Sequence, residues 1–517
     1  MLKSDQVLGA IPAFFGLMSN KMSFGETRLE SMHDLELLID AGRRLIVVET
    51  EREASMMTGF RRLSDGASKA YFQWTVTQGL LRLADGYVAQ TVNKDVNQLF
   101  GQIQSTHQAG VYILIDFHHY LHEPVAIRHI KDTVLNCPQH TLILLSQKVK
   151  LPDDLAPYAS KFTLPLPSKS ALRSLITRLA DEWAESQRKS LKMESRAVVG
   201  KLLDALQGIP LAEAEKMAHR AIWNDGVLDS SDVNEVTQAK FDLLNQNSVL
   251  SLQLDHPNLA EIAGFNGFKQ WLSLREKVFV GEVALPTGDI PKGVLLIGVQ
   301  GCGKSLAAKA VAGAWQLPLL HLDFGRIYNQ YVGQTEANFR AALATADTMS
   351  PCVLWIDEIE KGLSAQSVSD DISRRLLATF LTWLAEKKTS VFVVATANNV
   401  DQLPPEVMRK GRFDEVFFVD LPVLEERVAI LTLHLQRRDQ TLDLQNIEAL
   451  AEATDGFSGA ELEQLVVSAM YQLIEQRAPV SLEVLLALAN QTKPLSVLMR
   501  ESVQGLRMWA EGRTTPV

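Results

Sequence analysis

The sequence of 517 residues contains only three cysteines, Cys137, Cys302 and Cys352, and they lie far apart. Without a C-x-x-C pair, the chain offers neither the ligands of a zinc ribbon nor the framework of a disulfide-stapled secreted domain. Such sparse cysteine suits a reducing compartment, and we therefore expect a cytoplasmic protein.

The sequence also lacks a long hydrophobic run. Its most apolar N-terminal stretch, residues 7–18, is interrupted by two glycines and a proline and is too short to cross a bilayer. A basic residue precedes this stretch, but an acidic residue intrudes and no A-x-A cleavage site follows. We expect a packed N-terminal segment rather than an export signal, and no membrane segment.

The chain has fewer basic than acidic residues. It contains 51 lysines and arginines against 61 aspartates and glutamates, which gives a formal charge of −10. A chain of this sign is not built overall to bind a phosphate backbone, so a nucleic-acid motor is not expected unless a local basic groove exists. The chain also has no H-E-x-x-H motif, which argues against a metalloprotease. With 46% hydrophobic residues, the composition is that of a globular protein.

Two regions alternate apolar stretches with helix-periodic segments, the pattern of a parallel sheet covered by helices. In the second and clearer region, strands are predicted at residues 293–298, 321–324, 353–357, 391–396 and 416–419. Helices are predicted between them, for example at residues 305–315 and 335–346. This order predicts an α/β fold with the parallel sheet of a P-loop NTPase.

The first region repeats the pattern weakly, with strands predicted at residues 45–48, 71–75, 111–116, 141–146 and 162–166. Its string YILIDFHH parallels VLWIDEIE of the second region, and both regions end in an apolar strand followed by Leu-Pro. We interpret this as an internal duplication of an ATPase-like fold.

The strongest motif is GVQGCGKS, which matches G-x-x-x-x-G-K-[ST] between a predicted strand and a predicted helix. Its glycines allow backbone N–H groups to close around phosphate oxygens, and the helix N-terminus adds its positive end. Lys304 is expected to reach the β- and γ-phosphates, and Ser305 to ligate Mg²⁺. The predicted nucleotide loop consists of Gly298, Val299, Gln300, Gly301, Cys302, Gly303, Lys304 and Ser305.

Polar residues end the next strands of this region. Asp357 follows the strand at residues 353–356 and suits a second contact to Mg²⁺, and the adjacent Glu358 can polarise the attacking water. Asn398 follows the strand at residues 391–396, where an amide can hold that water. The motifs together predict an ATP- and Mg²⁺-binding site.

The strings GVQGCGKS, LWIDEIEK, ATANN, LPPEVMRKGRFDEVFFVDLP and TDGFSGAEL resemble, in order and spacing, the ATPase module of the AAA family within the AAA+ class. The resemblance implies a ring, commonly a hexamer, with nucleotide bound between subunits. Arg409 and Arg412 would then act as arginine fingers on the neighbouring subunit's γ-phosphate. It further implies that Ile262, Ala263 and Gly264 hold the adenine, and that Gly459 and Ala460 occupy the nucleotide-facing position of the lid.

Tyr331, Val332 and Gly333 resemble the aromatic–hydrophobic–glycine pore loop with which AAA translocases grip unfolded polypeptide. An aromatic ring can insert between substrate side chains without sequence preference, and glycine leaves the loop mobile. The alternative is that Tyr331 packs on its own domain.

The match extends beyond the general module. The strings PKGVLLIGVQGCGKSLAAKA and FVVATANNVDQLPPEVMRKGRFDEVFFVDLP resemble a bacterial and plastid family of AAA ATPases, known in algae and cyanobacteria as a hypothetical chloroplast reading frame protein. Its members carry a degenerate N-terminal ATPase-like domain, so the resemblance spans nearly the whole chain.

The first region lacks the residues that make the second one a nucleotide site. Its first predicted strand ends in Glu49-Thr50-Glu51-Arg52-Glu53, with no G-K-[ST], and these carboxylates would repel phosphate. Phe117 stands where a catalytic glutamate would be needed. We expect no ATP binding there, and a role in recruiting a partner or building the ring.

Five segments are expected: a degenerate ATPase-like domain at residues 1–180, a helical linker at 181–255, the ATPase core at 256–421, a helical lid at 422–495 and a loose C-terminal tail at 496–517. The favoured function is an ATP-hydrolysing ring that remodels or translocates a protein partner. The alternative is a nucleotide-gated assembly or signalling module that binds partners without threading them.

Overall fold

The computed structural model describes residues 24–517 apart from residues 51–52, 66, 85–86, 88–90, 246–248, 258, 282, 284–288, 329–333, 364–369, 410 and 477–479. Tyr331, Val332 and Gly333 and the apolar stretch of residues 7–18 therefore lie outside the described residues. The described chain forms two compact units. The N-terminal unit holds residues 24–190 and 210–212, and the C-terminal unit holds residues 191–209 and 213–517.

The N-terminal unit is a parallel sheet with helices. Its strands are β1 (Leu45–Glu49), β2 (Ala70–Thr75), β3 (Gly79–Arg82), β4 (Gly110–Ile115), β5 (His140–Ser146) and β6 (Ala159–Phe162). Its helices are α1 (Phe24–Asp40), α2 (Glu53–Ser64), α3 (Val96–Ser105), α4 (Pro124–Asn136) and α5 (Lys169–Gln187). The strand order is β3-β2-β4-β5-β1-β6, and β3 alone among these strands runs antiparallel to its neighbour. Every residue of the central strands β4 and β5 is buried, which explains their continuous apolar sequence.

The C-terminal unit contains the larger sheet. Its strands are β7 (Lys192–Met193), β8 (Val227–Leu228), β9 (Leu250–Gln253), β10 (Gly293–Gly298), β11 (Leu319–Leu322), β12 (Cys352–Ile356), β13 (Val391–Ala397), β14 (Glu415–Val419) and β15 (Thr515–Pro516). Helices α6 (Arg196–Leu206), α7 (Leu211–Trp223), α8 (Ser230–Leu244), α9 (Asn266–Phe279) and α10 (Lys304–Trp315) come first. They are followed by α11 (Phe324–Tyr328), α12 (Gln334–Thr348), α13 (Ile359–Leu363), α14 (Asp370–Glu386) and α15 (Leu424–Gln436). The last are α16 (Leu444–Ala453), α17 (Gly459–Gln476), α18 (Leu482–Gln491), α19 (Leu495–Leu498) and α20 (Arg500–Ala510).

The two sheets share one topology. The larger sheet has the order β15-β14-β10-β13-β12-β11-β9. When the parallel strands are counted along the chain, the smaller sheet reads fifth, first, fourth, third, second, with an antiparallel strand beside the second. The larger sheet has the same order and the same antiparallel neighbour, and adds β15 as a sixth parallel strand beside the fifth. This agreement confirms the predicted α/β fold, with a P-loop sheet preceded by an ATPase-like copy, and supports an internal duplication.

The predicted helical linker at residues 181–255 is not a separate connection. Its last strand, β9, joins the larger sheet antiparallel to β11. Phe241, Val249 and Leu250 are buried in the same hydrophobic cluster as the central strands. The sequence interpretation missed this because β9 reads LSLQ, with two polar residues, at the end of a polar helical stretch.

The predicted loose tail is also wrong. The residues from Arg507 onward complete α20 and form β15, which pairs in parallel with β14. The Nε of Arg507 donates to both carboxylate oxygens of Asp420, at 3.0 and 2.8 Å, directly after β14. Val503 and Val517 pack against the hydrophobic cluster beneath β10. The C-terminal segment therefore caps one edge of the sheet.

One strand boundary in the N-terminal unit differs from the prediction. The fifth parallel strand was expected at residues 162–166, but β6 ends at Phe162, which pairs with Val48. Pro165 and Pro167 follow it, and proline has no N–H group to donate to a neighbouring strand. The pairing therefore stops before the Leu-Pro repeat.

Helices α15 to α18 form a small helical bundle with a hydrophobic cluster of its own, centred on Leu431, Leu450, Leu462 and Leu485. The bundle coincides with the region in which the sequence predicted a lid. It follows β14 through Asp420, Leu421 and Pro422, so it is attached to the sheet next to the end of β10.

Candidate functional site

The nucleotide-loop motif connects β10 to α10 through a tight backbone path. At Gly298 a β-carbon would lie 1.9 Å from the carbonyl oxygen of Val419 on the neighbouring strand, so only glycine fits. Gly301 has φ +78°, a conformation that glycine adopts without strain. Its carbonyl oxygen accepts a bond from the N–H of Ala460 at 3.0 Å, which ties the loop to α17.

Lys304 is the buried cation of this loop. Its Nζ donates to the carbonyl oxygens of Gly298 and Val299, at 2.8 and 2.7 Å. Burial lowers the pKa of Lys304 to about 8, and the nearby carboxylates Asp357 and Glu358 oppose that shift. The ammonium is therefore held inside the loop, at the beginning of α10, where a phosphate group would meet it.

Asp357 is fixed by two hydroxyl groups. Ser305 Oγ donates to its Oδ1 at 3.3 Å, and Thr396 Oγ1 donates to the same oxygen at 2.5 Å. Thr396 Oγ1 in turn accepts a bond from the backbone N–H of Glu358 at 3.0 Å. The ends of β12 and β13 and the start of α10 are thereby joined, and two hard oxygen donors from Ser305 and Asp357 lie side by side.

Glu358 and Asn398 are in direct contact. Asn398 Nδ2 donates to Glu358 Oε1 at 3.0 Å. The backbone N–H of Asn398 donates to Oε1 of Glu360 at 2.9 Å. Glu360 is buried, and this burial raises the pKa of its carboxyl group. Glu358 itself has φ +48°, an uncommon left-handed conformation for a non-glycine residue.

Lys304, Ser305, Asp357, Glu358 and Asn398 line one cleft of about 530 Å³ between the sheet and the helical bundle. Ile262, Ala263, Gly459 and Ala460 line it as well. The lining residues of the predicted set are Ile262, Ala263, Gln300, Gly301, Cys302, Gly303, Lys304, Ser305, Asp357, Glu358, Asn398, Gly459 and Ala460.

Three residues of the predicted site, Gly264, Gly298 and Val299, do not line the cleft. Gly298 and Val299 supply the carbonyl oxygens that hold Lys304. Gly264 has φ +71°, and a β-carbon there would lie 2.2 Å from Glu426 Oε1. It therefore sets the approach of the segment at residues 262–265 to the start of α15.

Cys302 shows no sign of a reactive thiol. It is buried, and burial raises its pKa to about 12. It occupies a variable position of the G-x-x-x-x-G-K-[ST] motif.

Sequence reasoning missed several residues of the site. Thr396 stands inside the quoted string ATANN, and its hydroxyl position next to the strand end could have indicated the contact with Asp357. Lys361, whose side chain pairs with Glu358, follows it at a helical spacing of three. The missed cleft residues from the helical bundle and its approach are Glu261, Phe265, Ile430, Leu433, His434, Arg437 and Glu463. No local motif marks them, because they meet only through the fold.

The two predicted arginine fingers lie elsewhere. Asp414 pairs through its N–H with the carbonyl oxygen of Gly293 at 2.8 Å, so the loop at residues 409–414 stands at the beginning of β10. The nucleotide loop stands at the other end. Since β10 has six residues, at about 3.3 Å per residue its ends lie about 17 Å apart. Arg409 is exposed, and the Arg412 guanidinium donates to the carbonyl oxygen of Leu381 in α14.

In the N-terminal unit, the end of β1 corresponds to the end of β10, where the nucleotide loop begins. A carboxylate is hydrogen-bonded at this position. Glu49, the last residue of β1, accepts a bond on Oε1 from the backbone N–H of Val149 at 2.9 Å. Its Oε2 lies 3.9 Å from Nζ of Lys161. Residues 50–52 alone separate β1 from α2, fewer than the residues 299–303 that form the loop before α10.

The donors in the cleft fit a nucleotide with Mg²⁺. Serine and aspartate oxygens are the hard ligands that Mg²⁺ prefers, and the ion takes its remaining ligands from water and phosphate. Among the described residues, no group of three or more histidines, cysteines or acids is placed to hold a metal. The buried ammonium of Lys304 and the glycine backbone supply the complementary groups for phosphate.

Four segments of the chain match models of known protein families. Residues 294–421 match the family model of the ATPase family associated with various cellular activities (AAA), and residues 445–483 match the AAA+ lid domain. Residues 31–163 and 170–247 match the N-terminal and second domains of SpoVK-like AAA ATPases. The AAA domain-containing protein ycf46 of Trieres chinensis is 33% identical over 92% of this chain and 96% of its own length.

The chain belongs to the ycf46 family of AAA domain-containing proteins. The ycf46 protein of Pyropia yezoensis is similarly 33% identical, over 93% of this chain and 98% of its own length. The predicted resemblance is thereby confirmed, including the N-terminal domain. A more distant relative is the proteasome-activating nucleotidase of Aeropyrum pernix, 37% identical over 36% of this chain and 47% of its own. The chain is thus an AAA+ ATPase by family. Among the helices of the described residues, none has the length and hydropathy of a membrane span.

Proposed function

We propose that this protein binds ATP with Mg²⁺ and hydrolyses it, and that the energy drives remodelling of a protein partner by a ring of subunits. The observation that carries the ATPase proposal is the network joining Ser305, Asp357 and Thr396 beside the contact of Glu358 with Asn398. All five side chains converge at the ends of β12 and β13 and the start of α10.

The proposed roles follow from the positions of these groups. Lys304 and the loop N–H groups bind the phosphates, and Ser305 and Asp357 hold Mg²⁺, which neutralises phosphate charge when bound. Glu358 orients the attacking water and accepts its proton, and Asn398 fixes the carboxylate of Glu358. Residues 262–264 and 459–460 enclose the base and ribose end of the nucleotide. Glu360 holds the backbone of Asn398 in place.

We propose that the arginines act on a neighbouring subunit. The loop at residues 409–414 lies beside the beginning of β10, about 17 Å from the nucleotide loop at its end. Neither arginine lines the cleft of its own chain. A second copy that brings its arginine loop to this cleft would complete the site, and a hexameric ring is the favoured arrangement.

The protein-remodelling part of the proposal rests on resemblance. Tyr331, Val332 and Gly333 match the pore-loop pattern of AAA translocases, and one relative is named a proteasome-activating nucleotidase. We propose the cytoplasm as its location. The domain scheme is proposed with residues 191–209, 213–255 and the tail in the C-terminal unit. Residues 256–421 are proposed as the ATPase core and 422–495 as the lid.

Lys304→Ala tests the nucleotide site directly. Removing the ammonium takes a charged partner from the phosphates, and we expect ATP affinity to fall by about 100-fold, the scale of a lost charge-assisted hydrogen bond. Titration with a fluorescent ATP analogue measures it, with the exposed Lys189→Ala as the matched control. Equal affinity in Lys304→Ala and the wild type would contradict the assignment of this loop.

A second candidate function is a nucleotide-gated module that binds a partner without threading it. The closed position at Glu49 favours a binding role for the N-terminal unit. Tyr331→Ala separates the two functions when unfolded casein is the probe. A translocase keeps most of its basal ATPase but loses the casein-stimulated part, whereas a gated module shows no casein stimulation in either protein.

A further inference from the structure

Both carboxylate oxygens of Glu358 are occupied. Oε1 accepts the amide hydrogen of Asn398 at 3.0 Å. Oε2 pairs with the ammonium group of Lys361. A carboxylate that serves as general base needs one oxygen facing the water whose proton it takes. In this arrangement the ammonium of Lys361 stands at the oxygen that Asn398 leaves open.

The position of Lys361 suits a contact that can open. It lies in α13, and its backbone N–H donates to the carbonyl oxygen of Glu358 at 2.9 Å. The Lys361 side chain is 66% exposed and that of Glu358 is 31% exposed. The hydrogen bond with Glu358 raises the pKa of Lys361. A long, exposed side chain can turn into solvent at small cost, whereas Asn398 is held by its backbone bond to Glu360.

The other two carboxylates of this turn have partners of their own. Asp357 accepts from Ser305 and Thr396, and Glu360 is buried with Oε1 on the backbone of Asn398. Oε2 of Glu360 has no hydrogen-bond partner among the described residues, and it is closed off from solvent by burial. Glu358 is therefore the carboxylate of this turn that forms an ion pair with Lys361.

We propose that Lys361 is a positioning residue that restrains Glu358 in an ion pair and thereby slows the unstimulated hydrolysis of ATP. The proposal rests on the proposed function, because it assigns regulation to the same base. The ammonium occupies one oxygen of the base, so a water molecule on that side cannot approach it. Hydrolysis then requires Lys361 to turn away, and the pair sets how often Glu358 is available.

Lys361→Met tests the proposal, because methionine keeps the aliphatic length and removes the charge. We expect the basal kcat to rise by about two- to fivefold, the scale on which exposed ion pairs act. KM for ATP should stay within about twofold, since Lys361 does not line the nucleotide cleft. Lys361→Arg keeps an ion pair and should restore the wild-type rate. Lys189→Met, far along the chain and exposed, serves as the matched control.

A purely structural role would give a different pattern. In that case Lys361→Met would lower kcat or the melting temperature, and Lys361→Arg would not separate from it. An unchanged or reduced kcat in Lys361→Met, with wild-type hydrolysis intact and abolished by Lys304→Ala, overturns this proposal alone. If the wild-type protein itself fails to hydrolyse ATP, the proposed function and this inference both fall. The double variant Lys361→Met with Glu358→Gln should show no gain, because the effect must pass through Glu358.

Discussion

Replacing Arg409 by alanine is expected to lower the rate of ATP hydrolysis by about 10³–10⁵-fold, the range in which an arginine finger acts. ATP affinity should change little, because Arg409 lies at the beginning of β10 and does not line the cleft of its own chain. The measurement compares kcat at saturating ATP with the dissociation constant of a fluorescent analogue. Arg173→Ala, an exposed arginine in α5, is the matched control.

Mixing experiments sharpen this prediction. Lys304→Ala subunits bind ATP about 100-fold more weakly but still carry Arg409, whereas Arg409→Ala subunits bind ATP but lack the finger. A mixture of the two inactive variants should recover part of the wild-type rate, since one supplies the site and the other the arginine. No recovery in mixed assemblies, shown to form by differential tagging, would contradict a shared site.

Replacing Arg412 by alanine is also expected to lower the rate of ATP hydrolysis, but through two effects. Its guanidinium donates to the carbonyl oxygen of Leu381, and Lys292 Nζ donates to the carbonyl oxygen of Gly411 at 3.1 Å. Arg412 thus anchors the loop to α14 in this structure, whereas Arg409 is exposed. A loss of stability alongside the loss of rate is therefore expected for Arg412→Ala but not for Arg409→Ala.

Glu358→Gln is the second change with a large expected effect. The amide cannot accept a proton from water, and general-base catalysis contributes about 10²–10⁴-fold, so hydrolysis should fall by that factor. Binding should persist because Lys304, Ser305 and Asp357 are untouched, and the protein should retain ATP rather than ADP. Chromatography of the nucleotide released from the denatured protein after one turnover time measures this.

The control for that experiment is Glu448→Gln, an exposed glutamate of α16. It should behave as the wild type. Turnover of Glu358→Gln at the wild-type rate would remove Glu358 from the role of base. Loss of ATP binding in Glu358→Gln would instead show that its carboxylate is needed to build the cleft.

The sequence predicted the site well where chemistry depends on local spacing. The loop at residues 298–305 has one backbone path that its glycines permit, so its position between a strand and a helix follows directly. Asp357 and Asn398 could be placed because the ends of neighbouring parallel strands meet at one edge of a sheet. The structure brings these residues into the same cleft.

The sequence failed where short elements depend on tertiary pairing. β9 and β15 have four and two residues, and each forms only because an edge of the sheet is available to it. β9 reads LSLQ and β15 is a Thr-Pro pair, so neither stands out from the polar sequence around it. The contact partners of Arg412 and Lys361 could not be predicted either. The direction of each side chain depends on tertiary packing, which no local sequence pattern shows.

The most direct test of the central claim, that a neighbouring subunit completes the ATP site, is the dependence of the ATPase rate per subunit on protein concentration. It is paired with the mass of Glu358→Gln by light scattering, with and without ATP and Mg²⁺. The account predicts a rate per subunit that rises with concentration, and a ring-sized mass when ATP and Mg²⁺ are present. A monomeric mass under every condition, with a rate per subunit independent of concentration, would contradict it.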